Sequence, residues 1–160
     1  MGTRAEQLAS KFDQACREIN MVVEKLSDAE WKKVTSAEKW PVGVVAHHVA
    51  EGHVGISGLV QMVAKGQPVP HLTMEMIHEN NTKHAKEHAN TAKTGTLALL
   101  KTNGAKAASI VQGLGDAELD RSGTVLAGMP AMTAAQAIEG ILINHVHEHL
   151  GSIRATMSAK

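Results

Sequence analysis

The chain of 160 residues has one cysteine, no tyrosine, one phenylalanine, two tryptophans and four prolines. A lone Cys16 cannot form an internal disulfide and fits a reducing compartment, so a cytoplasmic location is expected. Net charge is missing as well: sixteen Lys and Arg balance sixteen Asp and Glu. Proteins that grip phosphate backbones carry a basic excess, so no nucleic-acid partner is expected. No apolar run approaches the roughly eighteen residues of a membrane span. The polar opening MGTRAEQ is not a secretory signal. It also has Glu6 where a myristoylation motif places Ser or Thr. No membrane partner is therefore expected. Strand signals are nearly absent: aromatic residues are few, and there are no period-two runs and no Asn-Gly hairpin turn. Hydrophobic residues make up 43% of the chain and charged residues 20%, which is ordinary for a globular protein and wrong for a disordered one.

Helical periodicity is abundant. Ala5, Leu8, Phe12, Cys16, Ile19, Val23 and Leu26 follow at three- and four-residue steps and predict one apolar stripe on a helix over 4–26. Ser27-Asp28-Ala29-Glu30 is a capping box that opens a short helix carrying Trp31. Pro41 suits a helical first turn, and Gly66 is placed to end the helix near Ala64. Pro68 and Pro70 mark a loop over 66–71. A third helix is expected over 73–92, broken or kinked at Thr94-Gly95 and resuming through Leu97, Leu100, Ala107, Val111 and Leu114. Gly115 to Pro130 reads as a second long loop. Thr133-x-x-Gln136 caps a final helix that runs to about Met157. Four long amphipathic helices with two long connections predict a single all-α domain over 1–160, an antiparallel four-helix bundle without a sheet.

The anomaly is ten histidines. A helix advances about 100° per residue, so their facing is calculable. With His145 at zero, Ile138, Leu142 and His149 fall at about 20°, 60° and 40°, inside the apolar arc. His147 falls near 200°, in solvent. With His48 at zero, Val44, Val45, Leu59 and Val63 lie within about 60° of it, so His48 also faces the core. Gly52 and Gly55 share that line and signify either a pocket or close helix packing. His47 and His53 lie at its margins. His84-x-x-x-His88 sits among Lys83, Lys86 and Glu87 and reads as mostly surface. Cys16 reads as a small core residue.

A pair at i and i+4 presents two imidazole nitrogens to one point, and a third from a facing helix completes a triangular face. Neutral imidazole binds Zn, Ni, Fe or Cu. Three protein ligands leave positions open for water or substrate. His48, His145 and His149 are thus the candidate metal ligands. A zinc-protease motif fails, because neither His147-Glu148 nor His78-Glu79 is followed by the required second His. A di-iron bundle fails too, since only Glu75-x-x-His78 fits its repeated motif. No Gly-x-Ser-x-Gly elbow exists.

The segment Trp40-Pro41-Val42-Gly43-Val44-Val45-Ala46-His47-His48 resembles the DinB superfamily (DinB/YfiT-like helical bundles), in which a Trp precedes a metal-binding His by eight residues. His145-Val146-His147-Glu148-His149-Leu150-Gly151-Ser152 resembles that family's C-terminal His-x-x-x-His segment, with Ser152 where Gln is common. Ile77 to Ala89, around Asn81, and Leu114 to Asp120 match further family segments, so the likeness spans nearly the whole chain. It implies a four-helix bundle with an up-down-down-up course. It also implies a divalent metal on His48, His145 and His149, with Zn or Ni foremost and Fe or Mn as alternatives. Activities in that family include thiol-dependent transferases and a maleylpyruvate isomerase that uses a low-molecular-weight thiol, and homodimers are frequent.

The expected function is therefore that of a metal-dependent enzyme acting on a small molecule: a thiol S-transferase or a related hydrolase or isomerase with a low-molecular-weight thiol as cosubstrate. Asn81, on the interior stripe of its helix, is a candidate for orienting the ligand, and Glu51, one turn past His48, for base or acceptor. The alternative is a non-catalytic metal-binding, stress-response or interaction protein of the same fold; a closed, fully protein-ligated metal shell would favour a structural metal.

Overall fold

The computed structural model describes residues 3–159. Helix α1 (Arg4–Lys25) starts on a capping box in which the Thr3 hydroxyl accepts from the Glu6 N–H and the Glu6 carboxylate accepts from the Thr3 N–H. Its apolar stripe is buried from Ala5 through Val23. The single turn α2 (Asp28–Trp31) is boxed in the same way by Ser27 and Glu30. Helix α3 (Val42–Ala64) begins directly after Pro41. Its first half, Val42 to Ala50, is buried nearly all round, as befits a helix apolar on every face. Gly66 ends this helix with φ of 69°, a left-handed conformation that only Gly adopts cheaply.

Helix α4 (Met74–Glu87) is mostly polar, and its one buried residue is His84. Helix α5 (Lys93–Gln112) follows after a break at 88–92. The expected break at Thr94-Gly95 is therefore misplaced: those residues already lie in the first turn of α5. The loop expected over 115–130 contains a further capped turn, α6 (Asp116–Leu119). Two residues of it, β1 (Ser122–Gly123), pair antiparallel with β2 (Met132–Thr133). This ribbon and an isolated bridge between Val34 and Pro41 are small exceptions to the expectation of no sheet, and the all-α class holds. Such two-residue pairings pin loops and build no core. The last rod comprises α7 (Ala134–Ala137), a π-helical turn over Ile138–Ile143, and α8 (Asn144–Ser158). The π turn has no sequence signature that periodicity reveals.

Helices α1, α3, α5 and the C-terminal rod pack into a helical bundle around Phe12, Ile19, Leu100, Ile138, Leu142, Leu150 and Ile153. Asn103 Nδ2 donates to the Ala50 carbonyl at 2.8 Å, tying α5 to α3. Arg121 Nη1 donates to the Ala64 carbonyl at 2.8 Å and satisfies the end of α3. The Trp31 indole N–H donates to the Thr91 carbonyl at 2.9 Å, fixing the ring against the start of α3.

That fixed ring makes Gly43 obligatory. A Cβ there would lie 2.5 Å from Trp31 Cε2. Overpacking costs about 1–3 kcal/mol, which outweighs the roughly 1 kcal/mol that Ala gains over Gly in a helix. Gly55 and Gly58, on the same helix, would meet nothing within 4 Å. Thermal melting is expected to show Gly43→Ala lowering Tm, and Gly55→Ala and Gly58→Ala raising it. Equal shifts from all three would contradict this reading of the Trp31 contact.

Candidate metal centre

The fold brings His48 from α3 together with His145 and His149 from α8. One ring nitrogen from each lies within 4.8 Å of the other two. His48 Nε2 and His145 Nε2 are 3.0 Å apart. The three rings meet edge to face, with centroids 4.6 to 4.9 Å apart. The Trp40 ring closes on His48 at a centroid distance of 5.4 Å, which gives the eight-residue Trp–His spacing a direct contact. His147 is exposed, as its helical phase requires.

Gly52 resolves the choice between pocket and close packing. A Cβ at this position would lie 2.5 Å from His145 Cε1 and 2.8 Å from its Nδ1. The absent side chain lets the His145 ring lie directly against α3. Two surface hollows lie elsewhere, one along α4 beside His78 and Lys83, the other between α1 and α5 beside Cys16.

Glu38 holds the third ring. Its Oε2 accepts from His149 Nδ1 at 2.7 Å, and its Oε1 accepts from the Ser152 hydroxyl at 2.5 Å. The carboxylate thereby keeps the proton on Nδ1 and leaves the Nε2 lone pair free. Burial would raise the Glu38 pKa, but hydrogen bonds from His149, Ser152 and Thr35 outweigh it and hold the carboxyl at about 2. Glu38 reaches this place on a tight loop. Thr35 N–H bonds to the Trp40 carbonyl at 2.8 Å, and Lys39 adopts a left-handed φ of 64°. Sequence reasoning missed Glu38, which stands two residues before Trp40 outside any helical period. Ser152, at the position where the family often has Gln, was the only hint of a polar group there.

Asn81 is half-buried on α4, and no hydrogen bond joins it to this group. Glu51 is half-exposed and turns toward His47, His84 and His88, away from His48. The expectation that His84 and His88 lie on the surface fails: His84 is buried and His88 half-buried. His47 and His53, placed at the margins, are both buried too. His53 lies edge-on to Phe12, with Nε2 at 3.8 Å from Cys16 Sγ. Cys16 is a core residue as expected, and burial pushes its thiol up to about 12, so it is no nucleophile at neutral pH.

The three nitrogens suit a divalent cation. Two ring nitrogens 3.0 Å apart require either a shared proton or a shared cation between them. His145 Nδ1 is buried with no hydrogen-bond partner. Its Nε2 is the nitrogen that faces His48, so the fit to a cation rests on the donor set itself, three convergent ring nitrogens from two helices. Burial foremost, with the neighbouring imidazoles second, lowers His48 to about 4 and His145 to about 2. Both therefore offer uncharged lone pairs at neutral pH.

A DinB superfamily profile matches residues 11–153. The chain belongs to the DinB superfamily. Solved structures resemble it at low sequence identity. The mycothiol-dependent maleylpyruvate isomerase superimposes with a TM-score of 0.75 at 13% identity, and a mutant of it with 0.75 at 12%. Each match covers 96% of this chain and 63% of the isomerase, so the DinB-like chain spans less than two thirds of that enzyme's length. YfiT from Bacillus subtilis, described as a probable metal-dependent hydrolase with an unusual four-helix bundle topology, superimposes with a TM-score of 0.64 at 20% identity, covering 96% of this chain and 81% of YfiT. No curated protein matches the chain.

The buried imidazoles set a pH dependence. An unfolded His titrates near 6.5. Folded His48 and His53 are held at about 4 and His145 at about 2, all by burial first. Between pH 6.5 and 4 the unfolded chain takes up protons that the folded chain refuses, so stability falls as pH falls. Glu38 adds a further loss only below its ordinary value of 4.5. Urea unfolding of chelator-treated protein from pH 7.5 to 4 is expected to show this decline, and a flat or rising stability would contradict it.

Proposed function

We propose that this DinB-like protein is a metal-dependent enzyme that holds one divalent cation on His48, His145 and His149 and uses it to activate a small nucleophile. The observation that carries the reading is the convergence of three imidazole nitrogens from two helices, two of them kept neutral by burial and the third oriented by Glu38. A bound divalent cation lowers the pKa of a thiol or water in an open coordination position.

The chain's own residues do the rest. Glu38 holds the His149 proton at Nδ1, so Nε2 stays a donor. Gly52 gives the His145 ring its place against α3. Trp40 packs edge to face against His48 and steadies its ring. Three protein donors leave coordination positions open, which supports catalysis over a purely structural metal. Low-molecular-weight thiols are the first nucleophile class to test, because structures of a mycothiol-dependent isomerase superimpose with a TM-score of 0.75. Water, as in a hydrolase, is the second, suggested by the description of YfiT.

The test begins with untagged protein, stripped and reloaded with Zn or Ni. Loaded protein is expected to consume thiol in the presence of a small electrophile, or to hydrolyse an ester or amide panel, and the stripped protein to do neither. His145→Ala should abolish tight binding and activity together, while His147→Ala should change neither. Glu38→Gln should weaken metal binding about 10–100-fold, the usual cost of losing the partner of a ligating His. Equal loss from His145→Ala and His147→Ala would refute the ligand assignment. Tight binding without turnover on any thiol or hydrolytic panel would favour the non-catalytic reading.

A further inference from the structure

A second group of donors stands beside the first and plays no part in it. His47 and Glu51 lie at i and i+4 on α3. Across from them, His84 lies on α4, and His88 is that helix's C-cap. One donor atom from each of the four lies within 4.8 Å of all the others. His47 Nδ1 and His84 Nε2 are 2.8 Å apart. Glu51 Oε2 is 3.6 Å from His84 Nε2, while Glu51 Oε1 is 3.7 Å from His88 Nε2 and 3.9 Å from His47 Nδ1. The His47 and His88 rings stack at 4.0 Å between centroids.

We propose that His47, Glu51, His84 and His88 form a second site for a borderline divalent transition-metal ion, independent of His48, His145 and His149. Three imidazoles and one carboxylate are a complete tetrahedral donor set for such an ion. Bonds of 2.0–2.1 Å in tetrahedral array put donor atoms roughly 3.3 Å apart. Four pairs of donors stand 2.8 to 3.9 Å apart, around that value, and all four donors lie within 4.8 Å of one another, so side-chain movements of an ångström or so seat the ion. Burial foremost keeps His47 and His84 below the ordinary histidine pKa, which leaves their lone pairs available. Glu51 is half-exposed and gives the ion a way in.

The placement also gives the ion a task. Among the described residues of α4, His84 alone is buried, so this helix has almost no apolar hold on the bundle. A cation shared between α3 and α4 would supply the missing attachment. Four protein ligands leave no open tetrahedral position, which makes this a structural site.

The experiment is zinc binding by untagged, stripped protein, measured by equilibrium dialysis, with hydrogen exchange of the α4 amides recorded in parallel. Wild-type protein is expected to take up two equivalents. His145→Ala should retain one, and zinc should still slow α4 exchange in it at least tenfold. The double variant Glu51→Ala with His88→Ala, at two incompletely buried positions, should also bind one equivalent, without protection of α4. Far-UV circular dichroism verifies that each variant folds. Absence of zinc binding in His145→Ala, or α4 protection that survives the double variant, would overturn the proposal. Because His145→Ala removes only the first site, failure of the second site is distinguishable from failure of the functional reading above.

Discussion

An imidazole taken out of water keeps its lone pair and loses its affinity for a proton. That trade is the constraint on which this bundle turns. Helix α3 is buried on nearly every face in its first half, yet it carries His47 and His48 side by side within that stretch. Neither is hydrated as a surface histidine would be, so each must find its partners inside the protein. His48 finds them on α8, and His47 on α4. The same helix thereby serves two histidine groups, and the His48 and His84 rings stand only 5.7 Å apart between centroids.

Close approach makes this arrangement possible. Every side chain larger than hydrogen at Gly52 would occupy the volume of the His145 ring. The π turn over Ile138–Ile143 immediately precedes the α8 residues involved. Such turns shift the phase of a helix by inserting a residue and are common where side chains must be re-aimed. On the other side, a left-handed Lys39 turns Glu38 back beneath His149. A left-handed non-glycine residue costs roughly 1–3 kcal/mol, and the surrounding Thr35–Trp40 hydrogen bonds offset it.

Residues that obey a helical period were legible in the sequence. The stripe of α1, the capping boxes at Ser27 and Thr133, and the opposite facing of His147 and His149 all follow from the 100° step, and the structure has each of them. What was illegible lies off that period. Glu38 sits on a loop, and loop conformation depends on contacts that no local rule encodes. His84 looked exposed because its own helix is polar, and it is buried only because α3 supplies the facing surface. Glu51 was read as a companion of His48 from its one-turn spacing, but the i and i+4 partner it meets is His47. The break before α5 was misplaced for a related reason: Gly95 is a weak helix former that the first turn of a packed helix tolerates.

The ligand set proposed for the first site is most directly tested by X-ray absorption at the zinc edge, on protein carrying Glu51→Ala and His88→Ala and loaded with one equivalent. Three imidazoles, counted by their outer-ring scattering, with nitrogens at about 2.0–2.1 Å, and one or two oxygen ligands from solvent are expected. A sulfur scatterer near 2.3 Å, or a closed shell of four imidazoles, would contradict the assignment of an open site on His48, His145 and His149.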